Sequence, residues 1–229
     1  MYIGGYRSMS LIDYPGCVSA VVFLRGCDFM CPYCHNPELI PSEGDVVSED
    51  EFFSSIIGSR RMIDGVCVTG GEPCLQPGLP EFLARIKDIG LKVKLDTNGS
   101  EPDMLSFVLS GGFVDYVAMD IKHSFEKYGE VVKRHDWREV SVSVSRSMEI
   151  IRSAGVEHEY RTTVWKGVHT EEDISDIASL MKEGEKYFLQ DLRAEKTLLP
   201  IEDKDGLRAG AIAAAIAERH PGIVISARN

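Results

Sequence analysis

The chain has 229 residues, 44% of them hydrophobic and 27% charged. Those proportions exclude a disordered chain, and the length suits one sizeable core. A formal net charge of −11 argues against nucleic acid as a partner, because an acidic surface repels phosphate backbones.

The N-terminal stretch MYIGGYRSMSLIDYPG lacks the basic start and unbroken apolar run of a signal peptide. The first apolar run, 18–24, predicts a strand and is far too short to span a bilayer. We therefore expect a cytoplasmic protein with no membrane partner. From there, helical and strand patterns alternate. Helices are predicted over 48–60, 77–89, 101–109, 140–154, 171–182 and 205–219. Strands are predicted between them over 65–69, 92–97, 114–121, 157–164 and 186–192, with a last strand over 222–227. Thr170 before Glu171, Glu172 and Asp173 reads as an N-cap with an acidic first turn. Gly155 after Ala154 reads as a helix stop.

This alternation predicts an α/β fold with a mainly parallel sheet, open or rolled into a barrel. Alternate strand residues share a face. Lys92, Lys94 and Asp96 fall on one face, as do Asp120 and Lys122, and Glu157, Glu159, Arg161 and Thr163. A sheet buried on both faces would read almost wholly apolar. Polar faces meeting in a wet lumen account for these charges, and solvated strand ends are the bland alternative. We expect a single domain over 1–229, with an N-terminal extension over 1–16, a barrel core over 17–192 and a C-terminal helix and strand over 193–229.

Three of the six cysteines, Cys27, Cys31 and Cys34, fall in one loop after the first strand. In a reducing compartment such grouping points to metal or redox chemistry. Thiolates suit iron–sulfur clusters and zinc. Three ligands on a four-iron cubane leave one iron open for chemistry. A structural zinc site wants a fourth ligand, for which His35 is awkwardly placed next to Cys34. Cys31-Pro32-Tyr33-Cys34-His35 also matches a c-type haem motif, and Cys31 with Cys34 a thioredoxin-like pair; both leave Cys27 unexplained. Cys67, inside a strand, reads as a small core residue. Cys17 and Cys74 remain unassigned, and no auxiliary cluster is expected.

The spacing Cys27-x3-Cys31-x2-Cys34, with Tyr33 before the last cysteine, resembles the signature of the radical S-adenosylmethionine superfamily. The run DYPGCVSAVVFLRGCDFMCPYCHNPELI resembles anaerobic ribonucleotide reductase activating proteins and pyruvate formate-lyase activating enzymes. No cysteine lies over 37–63, so the ferredoxin-like insert of some such activases is missing there. The resemblance implies a partial, open-sided (β/α)6 barrel. It implies a [4Fe–4S] cluster with one open iron on Cys27, Cys31 and Cys34. It also implies S-adenosylmethionine as cofactor.

Thr69-Gly70-Gly71-Glu72-Pro73 is by itself a glycine-rich turn. By resemblance Gly70, Gly71 and Glu72 hold the methionyl amino group, and Tyr33 lies beside the cofactor. Asp96-Thr97-Asn98-Gly99 is likewise only a turn signal until the resemblance places Asp96 and Thr97 near the ribose or at a monovalent cation site. Asp120 and Lys122 are assigned to the methionine carboxylate, with Asp120 orienting the lysine or helping to hold the cation. Arg161, Thr163 and Gln190 complete the rim, and no late-strand histidine takes the place one has in pyruvate formate-lyase activases. His35 offers its backbone; His123, His135, His158, His169 and His220 carry no motif.

The expected reaction is reductive cleavage of S-adenosylmethionine to a 5′-deoxyadenosyl radical, with flavodoxin or ferredoxin as donor. The expected partner is a glycyl-radical reductase. A small-molecule reaction like that of 7-carboxy-7-deazaguanine synthases is the alternative among enzymes. A non-catalytic iron–sulfur or zinc protein is the alternative outside them.

Overall fold

The computed structural model describes residues 1–193, 196–201 and 208–228. Among the described residues eight strands form one sheet in sequence order: β1 (Ile3–Ser10), β2 (Ser19–Leu24), β3 (Gly65–Gly70), β4 (Lys92–Thr97), β5 (Tyr116–Asp120), β6 (Glu157–Val164), β7 (Lys186–Asp191) and β8 (Val224–Arg228). All neighbours from β2 to β8 are parallel. β1 runs antiparallel to β2, and β1 does not pair with β8, so the barrel is open along one side.

The helices are α1 (Glu49–Ser59), α2 (Leu79–Asp88), α3 (Pro102–Ser110), α4 (Gly129–Val132), α5 (Trp137–Ala154), α6 (Glu171–Ala178) and α7 (Ala209–Arg219). Their ends follow local chemistry. Ser48 caps α1, and Thr170 forms a reciprocal capping box with Asp173 on α6. Gly155 ends α5 in the left-handed conformation, where the missing Cβ removes the steric cost.

Parallel strands need crossovers, and the crossover helices cover the outer face of the sheet. Leu79, Phe82, Leu83 and Ile86 recur at helical spacing on α2. They join one buried core with Val66 and Val68 of β3, Val93 and Leu95 of β4, and Val117 and Met119 of β5. Each such side chain contributes about 1.5–3 kcal/mol.

The inner face carries the charges that the period-two pattern places together. Lys94, Asp96, Asp120, Glu159 and Arg161 all pair inside the lumen, whereas Lys92 and Glu157 are exposed at strand starts. Both readings of the polar faces therefore hold, each at its own end of the strands. Low in the lumen, the fully buried Glu159 takes two bonds from Arg228, at 2.6 and 2.9 Å, and one from the Tyr116 hydroxyl at 2.8 Å. Tyr14 packs on Tyr116 and helps close that end.

Two elements differ from expectation. The segment 1–16 contains strand β1, whose Gly-Gly pair and polar residues hide any alternation; its ladder with β2 is irregular at two points. The helix predicted over 205–219 is observed as Ala209–Arg219, and positions 205–207 lie outside the described residues. Among the described residues no helix is long and apolar enough to cross a membrane.

Candidate active site at the strand C-terminal ends

β2 ends in buried Leu24, and the chain turns through Gly26 into the cysteine loop. Backbone N–H groups of Gly26 and Cys27 donate to Leu39 and Ile40 at 2.8 and 2.9 Å, which fixes the loop's return. Within it, Cys34 N–H donates to Cys31 O at 3.0 Å. Cys27, Cys31 and Cys34 all line one cavity of about 340 Å³. That volume lies at the lower end of the roughly 300–1,000 Å³ typical of small-molecule sites.

Asp28 ties this loop to distant chain. It accepts from Asn98 Nδ2 at 3.0 Å and from Arg134 Nη1 at 2.8 Å. Met30 N–H donates to Val132 O at the end of α4, and Phe29 meets Tyr128 edge-on. Burial pushes the Cys27 thiol well up. It pushes Cys31 up to about 11, with the Lys122 ammonium pulling the other way. Metal binding at such thiols releases protons and so favours the folded, loaded state as pH rises.

The Gly-Gly pair is required by packing. Gly70 has φ +127°, and a Cβ there would sit 2.3 Å from the Leu24 backbone. A Cβ on Gly71 would lie 2.1 Å from Gly26 O and 3.2 Å from Cys27 Cβ. The end of β3 therefore rests directly on the start of the cysteine loop, held by Gly71 N–H to Leu24 O and Glu72 N–H to Gly26 O. Both glycines line the cavity.

Glu72 does not line it. Its fully buried carboxylate accepts from Cys74 N–H at 3.0 Å, Thr97 Oγ1 at 2.8 Å and Asn98 N–H at 2.6 Å. Burial outweighs these bonds and raises its pKa to about 7. The Glu72 carboxylate thereby sets Thr97 and Asn98 in place beneath the cavity.

Asp96, Thr97, Asp120 and Lys122 line the same cavity with Arg161. Their charges alternate. Lys94 donates to Asp96 Oδ1, Arg161 reaches Asp96 Oδ2 at 3.3 Å and Asp120 Oδ1 at 2.8 Å, and Lys122 reaches Asp120 Oδ2 at 3.0 Å. Burial works against the Asp120 and Asp96 carboxylates. Arg161 with Lys122, and Arg161 with Lys94, nevertheless hold them below the usual carboxylate range.

The backbone of Lys122 is clamped. His169 Nδ1 accepts from Trp165 N–H, so Nε2 carries the proton and donates to Lys122 O at 2.9 Å. Burial holds His169 at about 4, hence neutral. Lys122 N–H donates to the Tyr128 hydroxyl, and Tyr33, buried against Trp165 and His169, points its hydroxyl at Lys122 O from 3.5 Å. Tyr33 lines the cavity as a packing support for this strand end.

Among the described residues no three His, Cys, Asp or Glu side chains converge on a single metal ion. The fit to a cluster rests on the donor set, three thiols facing one cavity beside a cation. The sequence pattern of the Radical SAM superfamily matches residues 21–181. The chain is a radical SAM enzyme.

A protein of Methanocaldococcus jannaschii provisionally named a glycyl-radical enzyme activating enzyme is 37% identical over 190 residues, covering 82% of this chain and 78% of that one. The pyruvate formate-lyase-activating enzyme of Clostridium pasteurianum is 34% identical over 127 residues, covering 53% and 52%. Among solved structures, SuiB of Streptococcus suis bound to precursor peptide SuiA has a TM-score of 0.67 at 10% identity, covering 91% and 48%. The enzyme anSMEcpe with bound AdoMet has a TM-score of 0.61 at 17% identity, covering 90% and 61%. The chain thus spans about half the length of the Clostridium enzyme and of SuiB. These solved structures share the fold.

Membership of this superfamily implies a [4Fe–4S] cluster and S-adenosylmethionine as cofactors. Of the cofactor residues expected from the radical SAM motifs, Tyr33, Gly70, Gly71, Asp96, Thr97, Asp120 and Lys122 share the cavity wall with the cysteines. Asp13, Asn98, Asp28 and Arg134 were not anticipated. Asp13 lines the cavity just after β1 and accepts from the Ser10 hydroxyl. Asp28 could have been found from its place inside the cysteine spacing. Arg134 had no local signal, since it lies 106 residues from its partner. Cys67 is buried as expected, but its sulfur faces Lys94 Nζ at 3.7 Å on the lumen side.

Proposed function

We propose that this enzyme installs a glycyl radical on a partner protein, an anaerobic ribonucleotide reductase. The observation that carries the reading is the cavity's continuity with a second one. A space of about 490 Å³ shares Asp13, His35, Arg161, Thr163 and Gln190 with the cysteine cavity. It also touches Arg7 of β1 and Arg228 of β8, the two unpaired edges of the sheet. A segment of polypeptide entering there would bring a glycine Cα toward the cofactor. The named activities of the relatives and the resemblance of the cysteine run support an activase; the same run supports a reductase as its target.

In this reading Cys27, Cys31 and Cys34 hold the cluster and leave one iron to the amino and carboxylate groups of S-adenosylmethionine. When bound, the pair supplies a 5′-deoxyadenosyl radical by one-electron cleavage of the carbon–sulfur bond. Lys122, its backbone clamped and its ammonium held by Asp120, offers that ammonium to the methionine carboxylate. Gly70 and Gly71 present backbone to the methionyl end. Thr97 and Asn98, set by Glu72, form the floor, and Tyr33 keeps Lys122 in place. A flavodoxin or ferredoxin supplies the electron. A reducing cytoplasm suits six cysteines that are all unpaired thiols.

The test is electron paramagnetic resonance of the reduced enzyme mixed with S-adenosylmethionine and an anaerobic ribonucleotide reductase. A doublet that collapses when the reductase glycine is deuterated at Cα supports the reading. Cofactor cleavage with no protein radical on any reductase would overturn it.

A further inference from the structure

The resemblance to activating enzymes leads one to expect a monovalent metal ion between the carboxylates that end β4 and β5. The residues present do not fit it. Each of the four oxygens of Asp96 and Asp120 already faces a cationic donor: Lys94 and Arg161 on Asp96, Arg161 and Lys122 on Asp120. Three cations face two anions, so the row carries one excess positive charge without any added ion. Sodium or potassium placed there would have to displace the guanidinium or stand beside it in a buried site, where like charges repel strongly.

Strand register explains why the guanidinium takes this place. Arg161 of β6 pairs with Asp120 of β5, while Asp96 of β4 pairs with Ala118. Ala118 is small and fully buried, which leaves room for Arg161 to reach past it from Asp120 to Asp96. A planar fork with several fixed N–H donors can serve two carboxylates at once; a single ammonium is less suited to that geometry. Each end of the row is an ammonium with one carboxylate partner, and Lys122 is the end that lines the cysteine cavity near Cys31. Its charge has the correct sign for an incoming carboxylate and the wrong one for a metal ion.

We infer that the guanidinium of Arg161 is the built-in cation of this site, and that cofactor binding by this chain needs no monovalent metal ion. The inference rests on the proposed S-adenosylmethionine cradle for its functional half. Its structural half concerns the chain alone. Arg161 is here a positioning residue, which fixes Asp120 and through it Lys122.

The experiment has two arms, each run in sodium, potassium and tetramethylammonium chloride at equal ionic strength. In the first, the melting temperature of the wild-type apoprotein should be the same in all three within about 1 °C, whereas Arg161→Met should rise by about 3 °C, saturably, in one metal salt only. In the second, calorimetric S-adenosylmethionine affinity of the reconstituted wild type should not depend on the salt. Arg161→Met should bind at least about 10-fold more weakly and recover in part with sodium or potassium. Arg161→Lys should bind less tightly than wild type while staying indifferent to the salt. Saturable dependence of the wild type on one metal cation, in either arm, would overturn the inference. So would an Arg161→Met protein that binds the cofactor like wild type in every salt. The wild-type series decides the matter even where Arg161→Met fails to fold. A chain that binds no S-adenosylmethionine in any salt would overturn the proposed function instead, and the melting arm would still decide the role of Arg161.

Discussion

The lumen holds two layers of buried charge that behave differently. In the lower layer Glu159 is saturated: Arg228 covers both carboxylate oxygens and Tyr116 adds a third bond. In the upper layer the row from Lys94 to Lys122 ends on an ammonium with only one carboxylate partner. A closed network stabilises and specifies the fold, and a network with one charge left over can bind. The cysteine loop sits at the second.

The largest effect expected in a test of this contrast is on stability. Glu159→Gln breaks a buried pair and should cost about 3 kcal/mol, read as a lower midpoint in urea. Cofactor affinity of the folded fraction should hold. A drop in affinity with little loss of stability would reverse the roles of the two layers.

Next comes pH. The folded pKa of Glu72 is about 7, above its usual value of 4.5, so the folded state keeps this proton longer than the unfolded chain. Its contribution therefore falls as pH rises between those two values, by up to about 1.4 kcal/mol per pH unit. Asp96 and Asp120 act oppositely: their lowered values give stability above the normal carboxylate range that is lost as pH falls below it. Urea unfolding of the apoprotein at pH 5 and pH 8 separates these. Wild type should lose about 2 kcal/mol relative to Glu72→Gln on going to pH 8. A pH-independent difference would remove the claim of a buried, titrating Glu72.

Lys122→Met comes third. Asp120 keeps Arg161, so stability should change by less than about 1 kcal/mol, whereas S-adenosylmethionine should bind about 10-fold more weakly by calorimetry. Equal affinity would detach Lys122 from the cofactor. The smallest effect belongs to the exposed pair Lys186–Glu157, at 3.1 Å: Lys186→Ala should lie within about 0.5 kcal/mol of wild type.

What could be read from sequence divides along the same lines. The cysteine triplet and the strand alternation are short-range patterns, so Cys27, Cys31, Cys34 and the lumen faces were visible before the fold. Most strands and helices between 18 and 192 followed from periodicity because each has an apolar face to bury; α4 did not, since a single turn is too short to show a period. β1 did not, since its stability comes from pairing with β2 rather than from its own pattern. The closure of Asp96 onto Arg161 depends on register between three strands, which no local motif encodes. Glu72 illustrates the same limit. Its motif marks it beside the two glycines that line the cavity, but only packing reveals that its oxygens turn inward to Thr97 and Asn98. The clamp on Lys122 likewise needed His169, 47 residues away, which carried no motif.

On the proposed function, Cys27, Cys31 and Cys34 hold an open-iron cluster that faces S-adenosylmethionine across the cavity. Anaerobic reconstitution followed by reduction tests it most directly, with iron and 5′-deoxyadenosine measured on the same sample. The account predicts about four irons per chain, formation of 5′-deoxyadenosine, and loss of both in Cys31→Ala. Zinc in place of iron, no cleavage after reduction, or a Cys31→Ala protein that keeps both would contradict it.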